Sequence, residues 1–184
     1  MIQLRTETAE VDCWDLTSLF GDLDQWDRGY NKVVRKEQMP YWPEFEDYRG
    51  RLGEGPEVVK KVLDEKCRLE RELSKLYVYA HLKHDEDIAN DKGKDAFGRI
   101  TLIINAFSQE ISWIEPELLG LPEETLREYV NSKVLADYHF YLEKLYRMKP
   151  HTLSSESEKV LALAGQPLLT SYKTFNALSD ADIS

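Results

Sequence analysis

Only two cysteines, Cys13 and Cys67, and four histidines, His81, His84, His139 and His151, occur among the 184 residues of this chain. Two thiols so far apart do not form a disulfide framework, and a reducing cytoplasm is the compartment that fits them. No histidine is followed by glutamate, so there is no His-Glu-x-x-His. A helical metallopeptidase centre needs two imidazoles one turn apart with a carboxylate beside them to activate water, and these residues cannot assemble one. The P-loop and the Gly-x-Gly-x-x-Gly fingerprint are both missing, which removes two common phosphate cradles. No apolar run approaches the ~20 residues that cross a bilayer. Met1-Ile2-Gln3-Leu4-Arg5-Thr6-Glu7 lacks an apolar signal core, so export is not expected. Positive charge is also short: 24 Lys and Arg stand against 34 Asp and Glu, a net charge of -10. That balance excludes the basic footprint of a nucleic-acid binder. The acidic residues are dispersed, as on a solvated surface.

What remains is a chain with 42% hydrophobic and 32% charged residues and only 9 Gly and 7 Pro, the balance of a helix-rich globular domain. Residues 1–21 read as an extended lead-in anchored by Trp14, Leu16, Leu19 and Phe20, and the helical domain follows over residues 22–184. Asp22 or Asp24 is expected to cap a first helix running to about Gln38. Met39-Pro40-Tyr41-Trp42-Pro43 then breaks the chain. A short helical turn follows from Glu44 to Arg49, and Gly50, Gly53 and Gly55 punctuate the approach to the next element. A long helix from about Pro56 to about Asp85 carries the stripe Val59, Val62, Leu63, Leu69, Leu73, Leu76, Tyr77 and Ala80. Asp64 stands one turn before Arg68 and is expected to pair with it.

A helix of that length demands an antiparallel partner. It is found beyond an Asn90-Asp91-Lys92-Gly93 turn, where Ala96, Ile100, Ile103, Ile104, Phe107, Ile111 and Ile114 form one stripe to about Gly120. Glu123 to Val130 reads as a short helix. Val134, Leu135, Tyr138, Leu142, Leu145 and Met148 read as another, ending at Lys149-Pro150. Ser154 or Ser155 opens a helix toward Gly165, Ser155 and Glu158 having capping-box spacing, and a last helical stretch runs from Pro167 to about Leu178. The fold class is all-α, a helical bundle built around a long antiparallel hairpin.

The densest group of potential ligands is His81-Leu82-Lys83-His84-Asp85-Glu86-Asp87. Its imidazoles, three residues apart, can share a helix face. A polar, solvated helix end is the favoured reading, because no third imidazole or thiolate stands at ligand spacing. His84-Asp85 also has the form of the pair used by helical phosphohydrolases, but these need another histidine upstream and the first 80 residues contain none. His139 lies among aromatics and reads as a packed or edge residue, and His151 follows Pro150 in a turn. Cys67 stands between Lys66 and Arg68, whose side chains point elsewhere on a helix, and the serines cluster at caps and turns. Tyr77, Tyr79, Phe97, Phe107 and Trp113 suit core packing. No catalytic, cofactor-binding or metal-ligating residue is assigned in this chain.

Several segments, taken in order, resemble the N-terminal domain of oligoendopeptidase F, a relative of the thimet-type zinc metallopeptidases. They are Trp14 to Phe20, Tyr48-Arg49-Gly50-Arg51-Leu52, Leu76 to Asp87, Ile114-Glu115-Pro116-Glu117-Leu118-Leu119, Pro150 to Ser154 with Glu158 to Ala162, and Phe175 to Ile183. The resemblance implies a non-catalytic helical domain that walls an enclosed channel and restricts access to short peptides. The zinc and its His-Glu-x-x-His ligands would lie in a catalytic domain absent from this chain, which is then a fragment of a larger peptidase. The implied partners are that C-terminal catalytic domain and oligopeptide substrates, with no nucleic acid and no membrane. A freestanding helical protein-interaction module and a metal-dependent hydrolase built on His81–Asp87 are the other classes left open.

Overall fold

The structure, a computed structural model, describes residues 14–34, 42–87 and 90–151, together with Thr170 and Phe175. Among these residues every regular element is helical, and the expected all-α bundle is what forms. The expected helices from Ser154 or Ser155 to Gly165 and from Pro167 to Leu178 lie outside the described residues apart from Thr170 and Phe175.

Helix α1 (Leu23–Val34) begins where Asp22 Oδ1 accepts the amide of Gln25 at 2.6 Å. The Gln25 side chain returns the favour by accepting from the Gly21 amide. Two amides at the helix start are thereby satisfied by side chains four or fewer residues away. The expected end at Gln38 falls outside the described residues. After Trp42, Pro43–Tyr48 makes a 3₁₀ helix that buries Phe45. Trp42 meets Phe107 edge-on at 5.0 Å. Gly50 follows with φ of 78°, a left-handed backbone that glycine adopts without a Cβ clash.

Helix α2 (Pro56–Glu86, 31 residues) is the spine of the bundle. At 1.5 Å per residue it is about 46 Å long. Its buried face is Val59, Val62, Leu63, Leu69, Leu73, Leu76, Tyr79 and Ala80, so one expected member changes: Tyr79 is buried and Tyr77 sits at the flank. The reason is a second packing partner. α1 and the lead-in cover α2 beside α3, and Phe20 meets Tyr79 edge-on at 5.3 Å. The expected Asp64–Arg68 pair also does not form. Asp64 pairs with Lys60 at 2.9 Å, while Arg68 bridges Glu65 and Glu72 at 2.5 and 2.7 Å. Each side chain had a competitor one turn away, and the tertiary hydroxyl of Tyr138 also claims Asp64.

Helix α3 (Asp91–Ile111) runs back along α2. Asn90 is its cap, accepting the amides of Lys92 and Gly93 at 3.0 and 3.2 Å. Asp91 to Gly93, expected in the turn, therefore already belong to the helix. Gly93 is buried against the backbone of α2, and a Cβ there would lie 3.2 Å from the Lys83 carbonyl oxygen. We expect Gly93→Val to lower stability by about 2 kcal/mol through overpacking against backbone that cannot step aside. Gly93→Ala should lie nearer the parent, because better helix propensity offsets part of the crowding. Urea denaturation measures both, and a valine variant as stable as the parent would mean that the hairpin tip is looser than drawn.

The stripe expected to continue through Ile114 to Gly120 is broken after Ile111. Ser112 closes α3, and α4 (Ile114–Gly120) starts in a new direction. Pro116 supplies the cause, since it has no amide to give the carbonyl four residues earlier. Lys149 reaches the far end of α4, where its ammonium donates to the carbonyls of Leu119 and Leu121. Such a cation favours a helix C-terminus, whose last carbonyls are otherwise unpaired.

Helix α5 (Glu123–Val130) has the expected bounds. The next expected helix is divided into a 3₁₀ helix, Lys133–Tyr138, and α6 (His139–Met148). Leu135, at φ -101° and ψ 17°, marks the departure from helical geometry. Ser132 Oγ accepts the Val134 amide, and His139 Nδ1 donates to the Val130 carbonyl at 2.8 Å. These bonds fold the segment back onto the end of α5, and Leu135 and Leu142 both reach the core.

Candidate functional site

His81 and His84 occupy the last turns of α2, on one face as their spacing predicts. Both address the same carboxylate: His81 Nε2 lies 3.4 Å from Asp85 Oδ2, and His84 Nδ1 lies 3.1 Å from Asp85 Oδ1. Their rings flank Phe97 of α3 at 5.1 Å each, and Tyr77 stacks on His81 at 5.5 Å. The neighbouring carboxylate of Glu86 is taken by Lys83 at 2.9 Å. Among the described residues no three His, Cys, Asp or Glu side chains converge as a metal site. The cluster is therefore built as a packed aromatic seam that joins the two arms of the hairpin, with one carboxylate shared between two imidazoles.

The other two histidines lie far along the chain from this pair. His139 opens α6 and spends its Nδ1 on a backbone carbonyl, and His151 is exposed at the end of the 3₁₀ turn Lys149–His151. Cys13 lies outside the described residues. Cys67 is half-buried on α2, beside Tyr138.

Around Cys67 the packing of α2 against the segment after α5 sets two pKa values. Burial, followed by the bond to Asp64, holds the Tyr138 phenol well above its ordinary range. The same bond at 2.6 Å, followed by Lys60, holds the Asp64 carboxyl below the usual carboxylate value. A carboxyl with a depressed folded-state pKa contributes stability above its unfolded pKa and loses it as pH falls through the folded value. Asp64 is half exposed, so solvent screens most of this energy. The titration itself is the sharper measurement. Carboxyl-carbon NMR should show the Asp64 midpoint rising in Tyr138→Phe while Lys60 remains in place, and an unchanged midpoint would assign the depression to the lysine.

A cavity of about 540 Å³ lies between the starts of α1 and α3. Its walls carry Asp22, Asp24, Asp27, Asp91 and Asp95, with Lys92 and Arg99 as the cations. Arg99 is held on four sides. It reaches Asp27 at 2.7 Å and Asp95 at 2.8 Å, and its guanidinium lies 5.1 and 5.0 Å from the ring centroids of Trp26 and Tyr30. A second cavity of about 390 Å³ adjoins it along Asp22 and Leu23 and continues past Tyr79, Lys83 and Asn90. Sequence reading missed this acidic hollow. The aspartates in the first turns of α1 and α3 were legible, but not that the two turns would stand side by side.

Comparison with known proteins gives this arrangement a context. A family model described as Oligopeptidase F matches residues 117–184. The chain is 27% identical to Oligopeptidase PepF of Bacillus subtilis, over 98% of this chain and 26% of the relative. It is 30% identical to Group B oligopeptidase PepB of Streptococcus agalactiae, over 97% of this chain and 29% of the relative. Over its whole length, the chain resembles oligoendopeptidase F. A solved structure agrees. A crystal structure of a candidate peptidase from Chlamydophila abortus superposes with a TM-score of 0.83 and 36% identity, covering 100% of this chain and 30% of that one. The chain is thus similar to the N-terminal region of oligoendopeptidase F homologues and spans less than a third of the length of these relatives. No helix among its described residues is long and apolar enough to cross a membrane.

Proposed function

We propose that this chain is the non-catalytic N-terminal region of an oligoendopeptidase F-like zinc metalloendopeptidase, in which its helices wall a substrate channel and admit only short peptides. The observation that carries the reading is the superposition of the whole chain on less than a third of a peptidase-sized relative. The architecture supports it. A helix of 31 residues, stiffened by its antiparallel partner, makes a wall whose selectivity comes from shape and needs no titrating group. In this reading residues 1–21 are the lead-in and 22–184 the helical domain, working in the cytoplasm beside its own C-terminal catalytic domain on oligopeptide substrates.

In this reading zinc belongs to the C-terminal catalytic domain. The donor set among the described residues does not fit it: His81 and His84 share Asp85 and lie tilted against Phe97, with no third ligand converging on them. No hydrolytic step is assigned to side chains of this chain.

The test is a chimera in which this chain replaces the corresponding region of the Bacillus subtilis relative. The chimera should cleave a quenched oligopeptide, lose that activity to a chelator and recover it with zinc, while leaving a folded protein intact. The 184-residue chain alone should do none of this. Zinc-dependent cleavage by the isolated chain would overturn the proposal. So would a chimera that digests folded protein as readily as peptide.

A further inference from the structure

We draw no further inference here: the strongest candidate, the carboxylate-lined cavity between the first turns of α1 and α3 at Asp22, Asp24, Asp27, Asp91 and Asp95, is a cluster of acidic side chains with no second observation in the structure to show what ligand it takes.

Discussion

Trp26→Ala is expected to cost about 4 kcal/mol, within the range for deleting a buried large aromatic side chain. Trp26 is fully buried on α1, and its indole N–H donates to the Leu76 carbonyl of α2 at 2.8 Å. Tyr30 stacks on it at 5.2 Å, and Arg99 of α3 covers it. One side chain therefore joins three helices by three kinds of contact. Truncation opens a cavity and leaves Arg99 with one aromatic face fewer. Trp26→Phe separates the contributions, since it keeps a ring in place and removes the hydrogen bond. A net loss of about 1 kcal/mol is expected for that bond, with some further loss for reduced packing. Denaturant midpoints measured at unchanged slope check both values. An alanine variant within 1 kcal/mol of the parent would show that α1 contributes little to the bundle.

The second large effect is expected at Glu117. Its two carboxylate oxygens accept the backbone amides of Gly50 and Leu52, each at 2.8 Å. The glycine-marked loop before α2 is thus held by a side chain of α4, more than sixty residues later. Nearby, Arg49 pairs with Glu110 at 2.7 Å, and the Tyr129 hydroxyl donates to the Leu52 carbonyl at 2.8 Å. Leu52 itself is fully buried, so its amide would find little water if the carboxylate were lost. Bonds to an ionised acceptor are the stronger kind, and a stranded donor costs its desolvation. Glu117→Ala should therefore lose about 3 kcal/mol. Glu117→Gln should fall between, because its amide group keeps one acceptor and presents a donor to the other N–H. Amide hydrogen exchange gives a local readout: Leu52 should lose protection in both variants, and more in alanine. Equal protection in all three proteins would remove Glu117 from this role.

Neither residue stood out in the sequence. Trp26 belongs to a helix whose apolar positions are sparse, and Glu117 is one of 34 acidic residues in a chain where most are solvated. Local rules reached the bounds of α2 and α5 to within a residue, because proline, glycine and a repeating apolar face act over a few positions. The same rules overran at two places. They carried the second arm of the hairpin past Pro116, and they joined Lys133–Tyr138 to α6. Apolar spacing alone cannot tell a continuous helix from two that each keep a residue in the core, as Ile114 and Leu135 do.

The histidine pair was legible in part. Spacing put His81 and His84 on one face, and composition withheld a third ligand. That Phe97 would fill the gap between them depends on the register of α3 against α2, which the close approach at Gly93 establishes.

From the sequence alone came the helical class, the long hairpin, the lack of a His-Glu-x-x-His and the likeness to a peptidase N-terminal domain. All of these are carried by residue order over short distances or by composition. The tertiary structure alone decided which partners meet: Tyr79 in place of Tyr77, Asp64 with Lys60 and Tyr138, Glu117 beneath the Gly50 loop, and the aspartates of α1 facing those of α3. Such pairings depend on which helix lies against which. Periodicity leaves that open, because an apolar stripe specifies that a face is buried but not the side chain that covers it.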